Sequence, residues 1–220
     1  MFSRLAPHYD RGNMVTSLGR DKVWRAKAVS MAGTTRESVA LDVGTGTADM
    51  ALILAKQARA VVGVDLSKQM LVEGRHKAEA AGTDGKVVLM QADATSLPFS
   101  NEKFDCITMA FALRNVADLD KAVSEVYRVA KPGGRFVCLE FNAPPRGIVG
   151  SLYKLYLRFP LRWLGAFATG SRKDWVYLTQ SIRAFPTPAG LRDRMKAAGF
   201  SQVTIRPLNM GTVSIHVCVK

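Results

Sequence analysis

Five short apolar runs, 39–43 (VALDV), 60–65 (AVVGVD), 86–91 (KVVLMQ), 104–109 (FDCITM) and 134–141 (GRFVCLEF), constrain this chain more than any other feature. They are rich in Val and Ile and too apolar to leave a face in water, the pattern of strands buried on both sides of a parallel sheet. Parallel strands need long crossovers, and segments of helical spacing stand between the runs at about 48–57, 68–81 and 118–130. The last of these runs into Lys131-Pro132-Gly133-Gly134, which reads as a helix stop followed by a turn. Such alternation predicts an α/β fold with a doubly wound, Rossmann-like open sheet. Beyond Phe141 the rhythm changes: NAPPRG breaks the chain, helical stretches follow at 171–183 and 189–198, and two strands close it at 202–207 and 212–219. The expected sheet therefore has seven mostly parallel strands, carried by a single domain over 1–220.

The first strand breaks into small residues and then an acid, LDVGTGTAD, residues 41–49. Gly44 and Gly46 leave room for backbone to approach a ligand closely. A dinucleotide fingerprint would place a third glycine at 49, where Asp49 stands instead. A carboxylate there repels a pyrophosphate and is expected to accept hydrogen bonds from an ammonium group. Asp65 ends the second strand and is placed for the two hydroxyls of a ribose, while Asp93-Ala94 after the third can flank a purine. Ribose, purine and an amino-acid head without phosphates describe S-adenosylmethionine. The donor contacts expected on these strand tips are Asp42, Gly44, Thr45, Gly46, Thr47, Asp49, Asp65, Leu66, Met70, Asp93, Ala94 and Ala110.

Several classes fall away. Cys106, Cys138 and Cys218 each sit in an apolar run with no zinc spacing, so they read as reduced core residues, and no metal site is expected. The N-terminal MFSRLAPHYD lacks the pattern of a secretory signal, and no stretch is long and apolar enough to span a bilayer. Lys and Arg exceed Asp and Glu, 31 to 18, a net charge of +13 that suits an RNA, an anionic membrane surface, or neither. The segment after the fourth strand argues against nucleic acid. It reads FALRN, residues 111–115, without the Asn or Asp followed by prolines that amine methylation of bases uses, and Cys106 lies inside its strand.

The chain resembles the C-methyltransferases of ubiquinone and menaquinone biosynthesis along almost its whole length. The resemblance rests on MFSRLAPHYDRGN, LDVGTGTAD, GVDLSKQML, ADATSLPF, FALRNVADLDKAVSEVYRVAKPGGRFVCLEF, Ser181-Ile182 and Phe185-Pro186. It implies a class I SAM-dependent methyltransferase with an N-terminal helical lid (1–32) and a helical insert after the fifth strand (142–200). It also implies donor contacts at Thr47, Asp65, Asp93 and Ala94, with Ala110 lining the same pocket, and transfer of a methyl group to a ring carbon of a prenylated quinol. Three positions depart from the family pattern: Ala48 replaces a usual glycine, Ala110 a common serine and Thr179 a frequent proline. Naphthoquinol and benzoquinol acceptors both fit, the naphthoquinol being favoured; another small aromatic or lipid acceptor is the alternative reading.

A quinol carbon is a poor nucleophile until a neighbouring hydroxyl, with a pKa near 10 like that of tyrosine, loses its proton. Arg114 is expected to stabilise the phenolate, with a structural ion pair as its other reading, and Asn115 to orient it or cap the next helix. Tyr9 and Asp10, on the lid, are expected to position the hydroxyl and carry the proton. His8, His76 and His216 read as a solvated neighbour, an exposed helix residue and a satisfied strand residue. In the insert SLYKLYLRFPLRW, residues 151–163, Tyr153, Tyr156 and Trp163 alternate with Lys154, Arg158 and Arg162. That pattern suits contact with a membrane surface as well as it suits a core-packing helix interrupted at Pro160. A cytoplasmic enzyme peripheral to the membrane, with room in the insert for a homodimer contact, is the expected setting.

Overall fold

The structure, a computed structural model, describes residues 14, 17, 19–83, 85–144, 147–158 and 172–220. Tyr9 and Asp10, with the rest of the expected lid before residue 14, lie outside the described residues, as do Pro160, Arg162 and Trp163 of the insert.

Seven strands form one sheet in the order β3-β2-β1-β4-β5-β7-β6. They are β1 (Val39–Val43), β2 (Ala60–Asp65), β3 (Val87–Gln91), β4 (Phe104–Ala110), β5 (Ala130–Phe141), β6 (Gln202–Leu208) and β7 (Val213–Val219). The first five pair in parallel, and β7 inserts antiparallel between β5 and β6. Central strands are buried on both faces, as the unbroken apolar runs require. β6 alternates exposed and half-buried residues and carries Pro207, tolerated because this strand closes the edge of the sheet.

Helices α1 (Arg20–Ser30), α2 (Asp49–Leu54) and α3 (Lys68–Ala80) cover one face. Trp24, Ala28, Met50, Leu54 and Leu71 pack there on Ala40, Val61 and Val137. On the other face lie α4 (Leu119–Val129) and, after the helices α5 (Ile148–Arg158) and α6 (Arg172–Ala184), α7 (Pro188–Ala197). Val123, Val126, Leu191 and Met195 meet Leu41, Ile107 and Phe136 on that side. The switch of layer with each alternate strand residue follows from the two-residue period of a strand. Helix starts are set by local chemistry: Ser67, Asp118 and Thr187 each accept a backbone N–H of the first turn, and Pro188 follows Thr187 at the first helical position.

Two boundaries differ from the sequence reading. Helix α2 stops at Leu54 rather than 57, because residues 55–57 turn back through Ala55 N–H to Ala51 O and Gln57 N–H to Leu54 O to enter β2. Lys131-Pro132-Gly133-Gly134 does not separate a helix from a strand. The strand begins already at Ala130 opposite Phe104, and the Pro-Gly-Gly stretch is a bulge inside it before pairing resumes at Cys106 with Arg135.

Successive connections leave β1 toward β2 on one side and toward β4 on the other, so the tips of β1 and β4 diverge and open a crevice. One buried carboxylate ties that crevice together. Asp42, on β1, accepts hydrogen bonds from Thr45 Oγ1 (2.6 Å) in the following loop and from Thr108 Oγ1 (2.7 Å) on β4. Burial pushes its pKa up to about 6, against the opposing pull of those two hydroxyls and of Arg25. A carboxyl held above its unfolded value of 3.8 stabilises the fold fully only below that value, and its contribution is lost as pH rises through about 6. Asp42→Asn, whose amide can serve both threonines, is therefore expected to gain about 3 kcal/mol relative to the parent between pH 4 and pH 7. Urea unfolding of the ligand-free protein across that range checks this, and parallel profiles for the two proteins would contradict it.

Candidate active site

The loop after β1 runs close to two neighbours at once. Gly44 has φ +66°, and a Cβ there would stand 2.4 Å from the Ala112 Cβ, so the two strand-tip loops can cross only at a glycine. At Gly46, φ +56°, a Cβ would meet no protein atom within 4 Å. This second glycine faces open space, as close approach by a ligand requires. Ala48 also holds a left-handed backbone, φ 68°, at the head of α2, a conformation that costs an alanine about 1–2 kcal/mol. A glycine there would relieve it.

Asp65 fixes this loop from the next strand. Its Oδ2 accepts from Gly46 N–H (2.9 Å) and its Oδ1 from Ser67 N–H (2.8 Å), while burial raises its pKa. With the Leu66 N–H also donating, the carboxylate still has acceptor capacity for a ligand hydroxyl. The next strand tip supplies Asp93, whose Oδ1 accepts from both the N–H and the hydroxyl of Thr95, which holds its pKa low and its charge on.

These groups line a cavity of about 250 Å³ with Leu66, Met70, Ala94, Ala110, Phe111 and Asn115. Carboxylates at one side and apolar surface at the other suit a ribose and a purine. The cavity brings together Gly44, Gly46, Asp65, Leu66, Met70, Asp93, Ala94, Ala110 and Asn115 from the sequence reading. Asp42 and Thr45 lie buried beneath the loop, bonded to each other. Asp49 departs from expectation: it does not line this cavity but forms an ion pair with Lys77, from the last turn of α3, which also donates to Thr47 Oγ1 (3.2 Å). The acid that heads α2 is thus partnered by a cation 28 positions along the chain.

Beyond β4 the chain makes a short 3₁₀ turn, Leu113–Asn115, that sets Arg114 against the end of β5. The Arg114 side chain is only 6% exposed, and its Nη1 donates to Glu140 Oε1 (2.7 Å) and to the Phe111 carbonyl (2.5 Å). Glu140 is buried and also accepts from the Phe141 N–H (2.8 Å). Arg114 Nε and Asn115 Oδ1, a donor and an acceptor on adjacent residues, are buried without a hydrogen-bond partner among the described residues. The structural ion pair of Arg114 is thus present, with Nη1 in it and Nε left without a partner among the described residues.

Two residues of this site escaped the sequence reading. Glu140 was visible as an acid inside the apolar run FVCLEF, where an ionised group needs a partner. Arg25 sits on the buried face of α1, its guanidinium 5.3 Å from the Phe111 ring centre and its Nε without a partner among the described residues. Its signal was a cation among Trp24, Ala28 and Val29 on a helix face that packs inward.

An open α/β sheet, a glycine loop without a phosphate cradle and an acid at each of two further strand tips define the class: this is a SAM-dependent methyltransferase. A solved SAM-dependent methyltransferase from Thermotoga maritima superposes with a TM-score of 0.70 at 21% identity, covering 100% of this chain and 98% of that one. The chain belongs to the ubiE/COQ5 methyltransferase family, whose model matches residues 1–220. A demethylmenaquinone methyltransferase of Thermus thermophilus is 45% identical over 219 residues, 99% of this chain and 98% of the relative. A ubiquinone/menaquinone biosynthesis C-methyltransferase of Rickettsia prowazekii is 35% identical over 226 residues, 100% of this chain and 91% of the relative.

If Asp65 holds the donor's ribose, Asp65→Asn keeps the size but replaces an ionised acceptor by a neutral amide. Donor affinity is expected to fall about tenfold to a hundredfold, the worth of a charge-assisted hydrogen bond. Isothermal titration with S-adenosylmethionine measures it, and an unchanged Kd would remove Asp65 from the site.

Proposed function

We propose that this protein transfers a methyl group from S-adenosylmethionine to a ring carbon of demethylmenaquinol, a prenylated naphthoquinol, at a membrane surface. The observation that carries the reading is the pair of unpartnered buried atoms, Arg114 Nε and Asn115 Oδ1, beside the donor cavity. A quinol hydroxyl can accept from the first and donate to the second. The high identity to demethylmenaquinone methyltransferases supports the choice of acceptor.

The donor supplies an electrophilic methyl on a sulfonium. The protein's residues do the rest. Asp65 and Asp93 accept hydrogen bonds from the sugar and the base, and Arg25 is the buried cation suited to the donor's carboxylate. Arg114, permanently charged, holds the phenolate form of the quinol through Nε while Glu140 and the Phe111 carbonyl fix its Nη1. Tyr9 and Asp10, outside the described residues, complete the proposal as hydroxyl-positioning group and proton carrier. Aligning methyl and ring carbon in a site closed to water gives the remaining acceleration.

Purified protein with S-adenosylmethionine and demethylmenaquinol is expected to yield menaquinol, read by mass spectrometry. Arg114→Ala should lower kcat about 100- to 1,000-fold, the usual worth of a preorganised charge donor, and Glu140→Gln about tenfold, with donor affinity little changed in both. No methylated quinol from the parent protein sinks the assignment.

The membrane contact rests on α5. Ile148, Leu152 and Leu155 are 81%, 62% and 55% exposed on one face of this helix, with Lys154 and Arg158 beside them. Among the described residues no helix is long and apolar enough to cross a membrane. An amphipathic helix of this kind lies in the interface of an anionic bilayer. Leu152→Gln with Leu155→Gln is expected to abolish co-sedimentation with phosphatidylglycerol vesicles while leaving donor binding intact; co-sedimentation equal to that of the parent would assign the contact elsewhere.

A further inference from the structure

Among the described residues, the side-chain hydrogen bonds that hold Arg114 fall on a single nitrogen. Nη1 donates to Glu140 Oε1 (2.7 Å) and to the Phe111 carbonyl (2.5 Å). Bonds to one atom fix a point but leave the guanidinium plane to turn about it, and Nε, the atom proposed to meet the phenolate, turns with that plane. A further contact is needed to set the plane, and Phe141 makes it. The central carbon of the guanidinium lies over the Phe141 ring, 5.5 Å from its centre. This is within the range of a cation–π attraction, which strengthens where water is excluded, and the Arg114 side chain is almost wholly buried.

Phe141 is itself firmly held. Its backbone pairs with Val213 of β7, and its N–H donates to Glu140 Oε1 (2.8 Å), the same oxygen that takes Arg114 Nη1. Its ring packs on Phe111 with centres 4.7 Å apart, and the two rings form a wall of which Phe111 lines the donor cavity. Phe111 holds φ +57°, a left-handed backbone that a bulky side chain adopts only when its surroundings impose it, and its N–H donates to Leu139 O (2.8 Å). Arg25 stands over the Phe111 ring as Arg114 does over Phe141, so each ring of the wall has a buried guanidinium beside it. Phe141 also packs on Leu157 of α5 and on Trp175 and Ile182 of α6, the buried cluster of the insert.

We infer that Phe141 is a positioning residue for the methyl transfer: its ring sets the plane of the Arg114 guanidinium, and hence the direction of Nε, and the α5–α6 insert acts on the chemistry through that ring. The role rests on the quinol reading above, because it is exerted through the cation assigned to the phenolate. Phe141 supplies neither charge nor a side-chain hydrogen bond. What it supplies is a face of π electrons at a fixed place, which the negative side of the ring quadrupole presents to the cation. A leucine in its position keeps apolar bulk and the pairing with β7 but has no such face.

Steady-state methylation of demethylmenaquinol tests this, with isothermal titration of S-adenosylmethionine reporting that each variant is folded. Phe141→Leu is expected to lower kcat about tenfold with donor Kd within about twofold of the parent, and Phe141→Tyr, which keeps the ring face, to retain at least about a third of the parent kcat. A cation no longer held toward the acceptor lets the pKa of the bound hydroxyl climb back toward about 10. The rise of kcat with pH should therefore move up by about one unit in Phe141→Leu and stay in place in Phe141→Tyr. In an Arg114→Ala background, where no guanidinium is left to position, adding Phe141→Leu should change kcat by less than about twofold. Should Phe141→Leu fail to bind the donor, Phe141→Met takes its place in every comparison. An unchanged kcat or an unshifted pH profile in the aliphatic variant, an equal loss in Phe141→Tyr, or the same tenfold loss repeated on top of Arg114→Ala overturns the positioning role and leaves quinol methylation standing. A parent protein that methylates no quinol overturns the quinol reading itself, and the role with it.

Discussion

A single carboxylate with no access to water holds the functional end of this sheet in shape. Asp42 reaches the loop that follows its own strand through Thr45 and the neighbouring strand through Thr108, across the point where the chain changes direction. Everything the site needs is referred to that bridge. The loop it anchors carries Gly44 against Ala112 and Gly46 toward the ligand, and Asp65 reads the position of Gly46 through its amide. The burial that raises its pKa is the cost of placing a rigid acceptor where two strand tips part.

The second half of the machinery is built by the same device with the charge sign satisfied rather than tolerated. Glu140 is as deeply buried as Asp42, but it meets a guanidinium, and one nitrogen of Arg114 serves both that carboxylate and the Phe111 carbonyl. A buried ion pair of this kind adds little net stability and a great deal of geometric definition. It leaves Arg114 Nε on a fixed base, the geometry that the proposed role as a transition-state donor needs.

The sheet was legible because central strands cannot hide their composition: VALDV and AVVGVD match β1 and β2 residue for residue. What the sequence hid was non-local. That Lys77 would take Asp49 depends on how α3 lies over the loop, a packing outcome that no spacing between positions 49 and 77 encodes. The bulge at the start of β5 carried ordinary turn chemistry, Pro-Gly-Gly, and only its pairing with β4 reveals that the strand runs through it. In the insert the periodicity was readable but its polarity was not. Tyr153 and Tyr156, grouped with Lys154 and Arg158 as interfacial residues, turn half-buried toward Phe141, and the aliphatic positions of the same helix take the outward face. Among the site residues, Asp65 and Asp93 were exposed to reading by their place at strand ends, whereas Glu140 needed its partner to be seen.

The left-handed peptide at Phe111 has an implication for how such enzymes diversify. Because its carbonyl leans on the cation assigned to the chemistry, the shape of the wall and the electrostatics of the reaction are mechanically inseparable, and a substitution at either disturbs both. A change in acceptor preference made at that unit would therefore alter the placement of the cation too. The α5–α6 insert is joined to that unit as well: its small cluster around Leu157, Trp175 and Ile182 packs on Phe141, the ring that lies against both Phe111 and Arg114.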